Sequence, residues 1–194
     1  MKDFMKKHFA IVLAFSLPLV LLVVIALSAY LPSAFISTNY NFVYAACVDG
    51  SNNYLYRCDA YLEQLYAVVD GQLVLNEVDV ALDTDRDGIP DVNEGYNARL
   101  FLHNTQSNET REITAEEATS LTLDGLVTSP DGVSVVGQYD RGPDIFLLFD
   151  GGSSYGHYLV KGKAKSKLNL INTEERYSYR DNFKFIGWTL PGRD

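Results

Sequence analysis

Basic residues are scarce in this chain, and so are the residue types on which most catalytic motifs depend. Its 194 residues include 16 Lys and Arg against 25 Asp and Glu, with three His, two Cys and one Trp. Beyond Pro32, 13 basic residues stand against 24 acidic ones, which leaves that part at −11. This argues against a nucleic-acid partner, because phosphate backbones are bound through a basic footprint. No Cys-His arrangement, zinc spacing or phosphate loop occurs. His103 and His157 fall in separate strand-like stretches. The acids that might pair for glycoside hydrolysis are better explained below. The expectation is no enzyme, with an envelope hydrolase kept as an alternative.

What the chain does have is unevenly spread. Its hydrophobic content is 47%, and Phe9 to Tyr30 form 22 residues without a charge. As a helix this run would be about 33 Å long, enough to cross a bilayer core. Pro18 inside it is tolerated in membrane helices with a kink. Lys2, Lys6 and Lys7 precede the run and the next basic residue is Arg57. The positive-inside rule then places residues 1–8 as a cytoplasmic tail, 9–31 as a transmembrane helix, 32–40 as a linker and 41–194 as an extracytoplasmic domain. Membrane lipid is the first expected partner. A cleaved signal peptide is the rival reading, disfavoured by the length of the apolar run; either exports the remainder. A lipidation site at Tyr44-Ala-Ala-Cys47 is disfavoured, since it lies well beyond that run.

Export agrees with cysteine usage. Cys47 and Cys58 end the β-like stretches FVYAAC and YLYRC, with the turn-rich VDGSNNY near their junction. A disulfide closing so short a loop contributes up to about 3 kcal/mol. Two unrelated buried thiols remain the alternative.

After residue 40 the text is β in character. Asp-Gly pairs at 49–50, 70–71, 124–125, 131–132 and 150–151 punctuate runs of Val, Tyr, Phe and Leu, as tight hairpin turns require. QLYAVVDGQLVLNEV predicts a hairpin around Asp70-Gly71, and ARLFLHNTQSNETREIT another with its tip at Ser107-Asn108. Further strands are expected at VSVVGQY, DIFLLFD, HYLVKGKAKSKLNL and FKFIGW. Thr114 to Glu117 form a capping box ahead of one short helix. The expected fold is mainly β: a transmembrane helix followed by an antiparallel, blade-like β domain.

The densest chemistry lies at DTDRDGIPDVNE, residues 83–94, which match the calcium-loop template D-x-[DN]-x-[DN]-G-x5-E. Calcium takes six to eight hard oxygens. Asp83, Asp85 and Asp87 alternate so that one turn can aim three carboxylates inward, and Gly88 permits the bend. Ile89 would offer its carbonyl, Asp91 would bind directly or through water, and Glu94 would close the shell. The flanks lack helical stripes, and Pro90 removes an amide that paired EF-hand loops share. Gly88-Ile89-Pro90-Asp91 instead resembles the thrombospondin type-3 repeat and its bacterial relatives over about 13 residues. That resemblance implies one structural Ca2+, with an affinity in the range of about 10⁻⁴–10⁻³ M expected of extracellular modules.

SPDGVSVVGQYDRGPDIFLLFDGG, Ser129 to Gly152, resembles the repeat of TolB-type β-propellers. The chain holds material for two blades at most, whereas closure needs four or more, so the resemblance implies blade-like sheet. As a whole, the chain also resembles single-pass bacterial envelope proteins, a likeness that brings no activity with it.

Lys161, Lys163, Lys165 and Lys167 alternate as though from one face of a strand. They suit either a protected edge or contact with anionic lipid or polysaccharide, the edge being preferred. The 13 tyrosines and Trp188 are read as sheet packing ahead of a glycan platform. The functional expectation is a tethered, calcium-stapled β domain that binds an unidentified envelope or protein partner. An accessory subunit of a larger membrane assembly is the alternative.

Overall fold

A strand that reads apolar at every position must be covered on both faces, and Phe42-Val-Tyr-Ala-Ala-Cys47 is such a strand. The computed structural model describes residues 8, 13–24, 36–48, 58–84, 86–93, 95–140, 154–171 and 182–192. In it, strand β1 (Phe42–Val48) is the middle of a five-stranded antiparallel sheet, and Phe42 to Cys47 are each at most 2% exposed. The sheet order is β5 (Glu109–Ile113), β4 (Asn97–Asn104), β1, β10 (Lys184–Leu190), β6 (Thr122–Asp124).

Side chains alternate across a strand, so β1 feeds two separate cores. Val43, Ala45 and Cys47 join Leu100, Ile113, Leu123 and Ile186 on one face. Helix α2 (Asp59–Leu65), the hairpin β2–β3 (Tyr66–Val69, Gln72–Leu75) and helix α3 (Ala115–Ser120) cover that face through Leu62, Tyr66, Leu73 and Ala118. Phe42, Tyr44 and Ala46 join Phe101 and Trp188 on the other face. A second sheet, β7–β8–β9 (Ser134–Asp140, Ser154–Lys161, Ala164–Lys167), covers it through Val135 and Leu159, with Leu168 and Leu170 beyond β9.

A β-bulge makes the aromatic side work. Ile186 and Gly187 together oppose Val43, so that Phe185 pairs with Tyr44 and Trp188 with Phe42. Without the extra residue, positions 185 and 188 would face opposite sides. With it, both rings lie on the aromatic side, 5.6 Å apart, and Trp188 meets Phe42 edge-on at 5.5 Å. Gly187 is required by close approach, because a Cβ there would sit 2.8 Å from the Asp124 carbonyl oxygen.

The expected hairpins are present with informative differences. Asp70 and Gly71 both have positive φ, and Val69 pairs with Gln72 in a two-residue turn. β4 and β5 close over Thr105–Asn108, with Asn108 at φ 55°. Thr114 caps α3 by accepting from the Glu117 N–H at 3.2 Å, while the Glu117 carboxylate pairs with Arg111 rather than reaching back. HYLVKGKAKSKLNL is not one strand. It folds over Gly162-Lys163, and Lys161 pairs with Ala164. Lys165 and Lys167 therefore share a face with Val160 and Tyr158, opposite to that of Lys161. Cys58, expected to end a strand, stands at the N-cap of α2.

Among the described residues, no helix is long and apolar enough to cross a membrane. Residues 13–24 form helix α1, with every side chain exposed, including Phe15 at 78%. The remainder of the expected span, residues 1–7 of the tail, DIFLLFD and residues 54–57 lie outside the described residues, as do Asp85 and Glu94.

Candidate metal centre

The acidic loop runs from the end of the β2–β3 region to the start of β4. Asn97 pairs with Val48, the last residue of β1, so the loop lies at the end of the sheet opposite the chain's entry at Asn41.

Two positive-φ residues, Arg86 at 64° and Gly88 at 91°, curl the backbone around Asp83. The Asp83 carboxylate accepts from the Asp87 N–H at 3.2 Å and the Gly88 N–H at 3.0 Å. Asp87 in turn accepts from the Ile89 N–H at 2.7 Å. These bonds hold Asp83 and Asp87 within one turn.

Asp91 behaves differently. It opens a 3-10 turn (Asp91–Asn93) and is fully buried. Its Oδ1 accepts from the Thr84 N–H at 2.8 Å and its Oδ2 from the Thr84 hydroxyl at 2.5 Å. The Asp91 N–H donates to the Leu82 carbonyl at 2.7 Å, tying the two ends of the loop. Both donors to the carboxylate are neutral, and among the described residues no ion pair reaches Asp91. Buried carboxylates are ordinarily paired with a cation. The nearby Tyr61 hydroxyl is pushed up by burial and, secondarily, by the negative field of Asp91. Tyr61 also packs edge-on against Tyr96 at 5.4 Å.

Among the described residues, no three acidic, histidine or cysteine side chains converge as a metal site. Of the six expected ligands, the structure brings Asp83, Asp87 and Ile89 into one turn and sends Asp91 inward. Each Asp91 oxygen keeps acceptor capacity after its bond to Thr84. Thr84 was not among the expected participants; a hydroxyl at the second loop position is the available sequence signal.

Cys47 and Cys58 form a disulfide, with Cα atoms 6.3 Å apart. It joins β1 to the start of α2. Asn182, buried at 2% exposure, accepts from the Cys47 N–H at 2.8 Å; nothing in its sequence context marks it. His103 and His157 are also buried. His103 Nδ1 lies 2.8 Å from the Thr110 hydroxyl, and the His157 ring lies 4.0 Å from that of Phe183, tilted by 35°. Burial lowers the pKa of each to about 4, with a hydrogen bond to Asn108 opposing the shift at His103. Trp188 is fully buried and Tyr44, Tyr66 and Tyr158 nearly so, which removes them from any glycan platform.

No protein-family model matches the chain, and no curated protein or solved structure matches it either. Ser129-Pro-Asp-Gly132, the start of the propeller-like stretch, forms a tight turn: the Gly132 N–H donates to Ser129 O at 2.9 Å, and the Ser129 N–H to Val133 O at 2.7 Å. Gly132 takes φ 81°. This is a three-residue hairpin loop with a bulge, and residues 141–152 of that stretch lie outside the described residues.

Proposed function

We propose that this chain is a single-pass membrane protein whose exported, blade-like β domain is stapled by one structural calcium ion and serves an interaction or structural role in the cell envelope. The tether reading rests on α1, where nine large apolar side chains are exposed and none is covered by the other described residues. Such a helix is stable in a solvent of hydrocarbon and costly in water. The calcium reading rests on Asp91, a buried carboxylate whose hydrogen-bond donors among the described residues are all neutral, in the same loop as the Asp83–Asp87 turn. Asp83, Asp85, Asp87, Asp91, Glu94 and the Ile89 carbonyl would hold the ion, which would neutralise their mutual repulsion.

Thermal melts with calcium and with EDTA test the metal. At calcium a hundredfold above Kd, stabilisation of about 2.7 kcal/mol is expected, and the Asp85→Ala variant should not show it. Wild type and variant melting together in both conditions would refute the calcium assignment. Alkaline extraction of membranes tests the tether, since a spanning chain stays in the pellet. Exposed Val69, Val74 and Leu75 on the β2–β3 hairpin favour a second reading, an accessory subunit of a larger membrane assembly. Co-purification in mild detergent distinguishes it from a chain that acts alone.

A further inference from the structure

The structure gathers three features at the end of the domain where the chain enters. The first is a clamp on the entering segment. The Asp131 carboxylate accepts from the Thr38 hydroxyl at 2.9 Å and from the Asn39 N–H at 3.0 Å. The 129–132 turn is thereby fixed beside residues 36–40, the segment arriving from the apolar N-terminal region. The second is apolar exposure in the same loop. Leu126 is 68% exposed and Val127 52%, although the Val127 carbonyl is held by the Val135 N–H and the Trp188 indole. These side chains are displayed on a rigid backbone and are not frayed ends. The third is positive charge. Ser134 pairs with Val160, which brings the β8–β9 tip alongside, and Lys161 and Lys163 at that tip are exposed. Asp131 lies in the field of Lys161: burial raises its carboxyl, but hydrogen bonds from Ser129, Asn39 and Thr38, with the Lys161 charge, hold it below the usual range.

Exposed apolar side chains and lysines at one end of a domain are the composition of a surface that enters the interfacial region of a bilayer, with aliphatic groups inserted and ammonium groups among phosphates. The charge distribution points the same way. The acidic loop, residues 83–94, lies at the far end, beside Asn97 and Val48, where repulsion from headgroup phosphates is weakest.

We infer that the domain lies against the outer face of the bilayer through Leu126, Val127, Lys161 and Lys163, with the acidic loop directed away from it. The inference rests on the tether reading and adds to it an orientation. A tether of flexible residues alone would let the domain tumble; this surface holds one pose. Each lysine near a charged headgroup layer adds attraction that falls off within a Debye length, so the contact needs the short reach that the Asp131 clamp supplies.

The full-length chain in phospholipid vesicles containing anionic lipid tests this. Both native cysteines are in the disulfide, so a single introduced cysteine carries the fluorophore. Leu17→Cys reports insertion of the tether, Leu126→Cys and Lys163→Cys report the proposed contact, and Asn97→Cys reports the far end. With spin-labelled lipid as quencher, labels at 17, 126 and 163 should be quenched severalfold more than the label at 97. If 17 is quenched while 126 and 163 match 97, the orientation is wrong and the tether stands. If 17 is not quenched, the tether itself fails. A Lys161→Glu/Lys163→Glu double variant, checked for native folding by its melt, should lose most of the excess quenching at 126; undiminished quenching would remove the lysines from the contact.

Discussion

One face of the central sheet is aliphatic and covalently tied, whereas the other is aromatic and holds two neutral imidazoles. On the first, the Cys47–Cys58 bond anchors α2 beside Leu62 and Ala118. On the second, Phe42, Tyr44, Phe101 and Trp188 interlock, with His103 and His157 among them. Both faces derive from alternate residues of the same strand, so a single seven-residue segment commits the chain to two cores of unlike chemistry. The disulfide opens the aliphatic side to reductant, and the two buried imidazoles open the aromatic side to acid.

The sharpest test of this contrast is Trp188→Ala, which removes the centre of the aromatic core. Destabilisation of about 3–5 kcal/mol is expected, read as a fall in the denaturation midpoint with an unchanged slope. Reduction of the disulfide should cost about 3 kcal/mol. That loss should be the same in wild type and in a His157→Phe variant if the two faces are independent. Acid comes next. Folded His103 and His157 resist protonation down to about pH 4, whereas the unfolded rings protonate near 6.5. Their stabilising contribution is therefore complete above about pH 6.5 and is lost as pH falls toward 4. Between pH 7 and pH 5 the loss amounts to about 2 kcal/mol per ring. His157→Phe should remove its share of that slope, as measured by urea denaturation at several pH values. The smallest effect is expected for Thr114→Ala, which deletes the cap of α3 on the aliphatic side at a cost of about 1 kcal/mol. A change in the acid slope from this variant would mean that the faces are coupled.

Local features were legible in the sequence because local rules govern them. Asp70-Gly71 can scarcely be other than a tight turn between alternating arms, and Thr114 with Glu117 marks a helix start. The mainly antiparallel β character followed from the same punctuation. Less legible was HYLVKGKAKSKLNL, where alternating lysines continue the strand pattern straight through the Gly162 turn and hide it. Helix α2 was missed because a seven-residue helix carries too few periodic positions to outweigh the aromatic residues before it. The bulge at Ile186-Gly187 and the burial of Asn182 depend on partners more than a hundred residues away, which no local pattern encodes. Within the acidic loop, the template located the turn around Asp83 but not the inward rotation of Asp91, because Thr84 occupies a position that the template leaves free.

Strand β10 lies between β1 and β6, although about 140 residues of chain separate it from β1. As the polypeptide emerges N-terminus first, β1 can acquire β4 early, while its other edge stays bare until residues 184–190 arrive. During that interval the vacant slot can accept an extended segment of matching pattern, the same strand of a neighbouring molecule included. The wait for its last strand is thus when this sheet chooses between closing on itself and joining two chains.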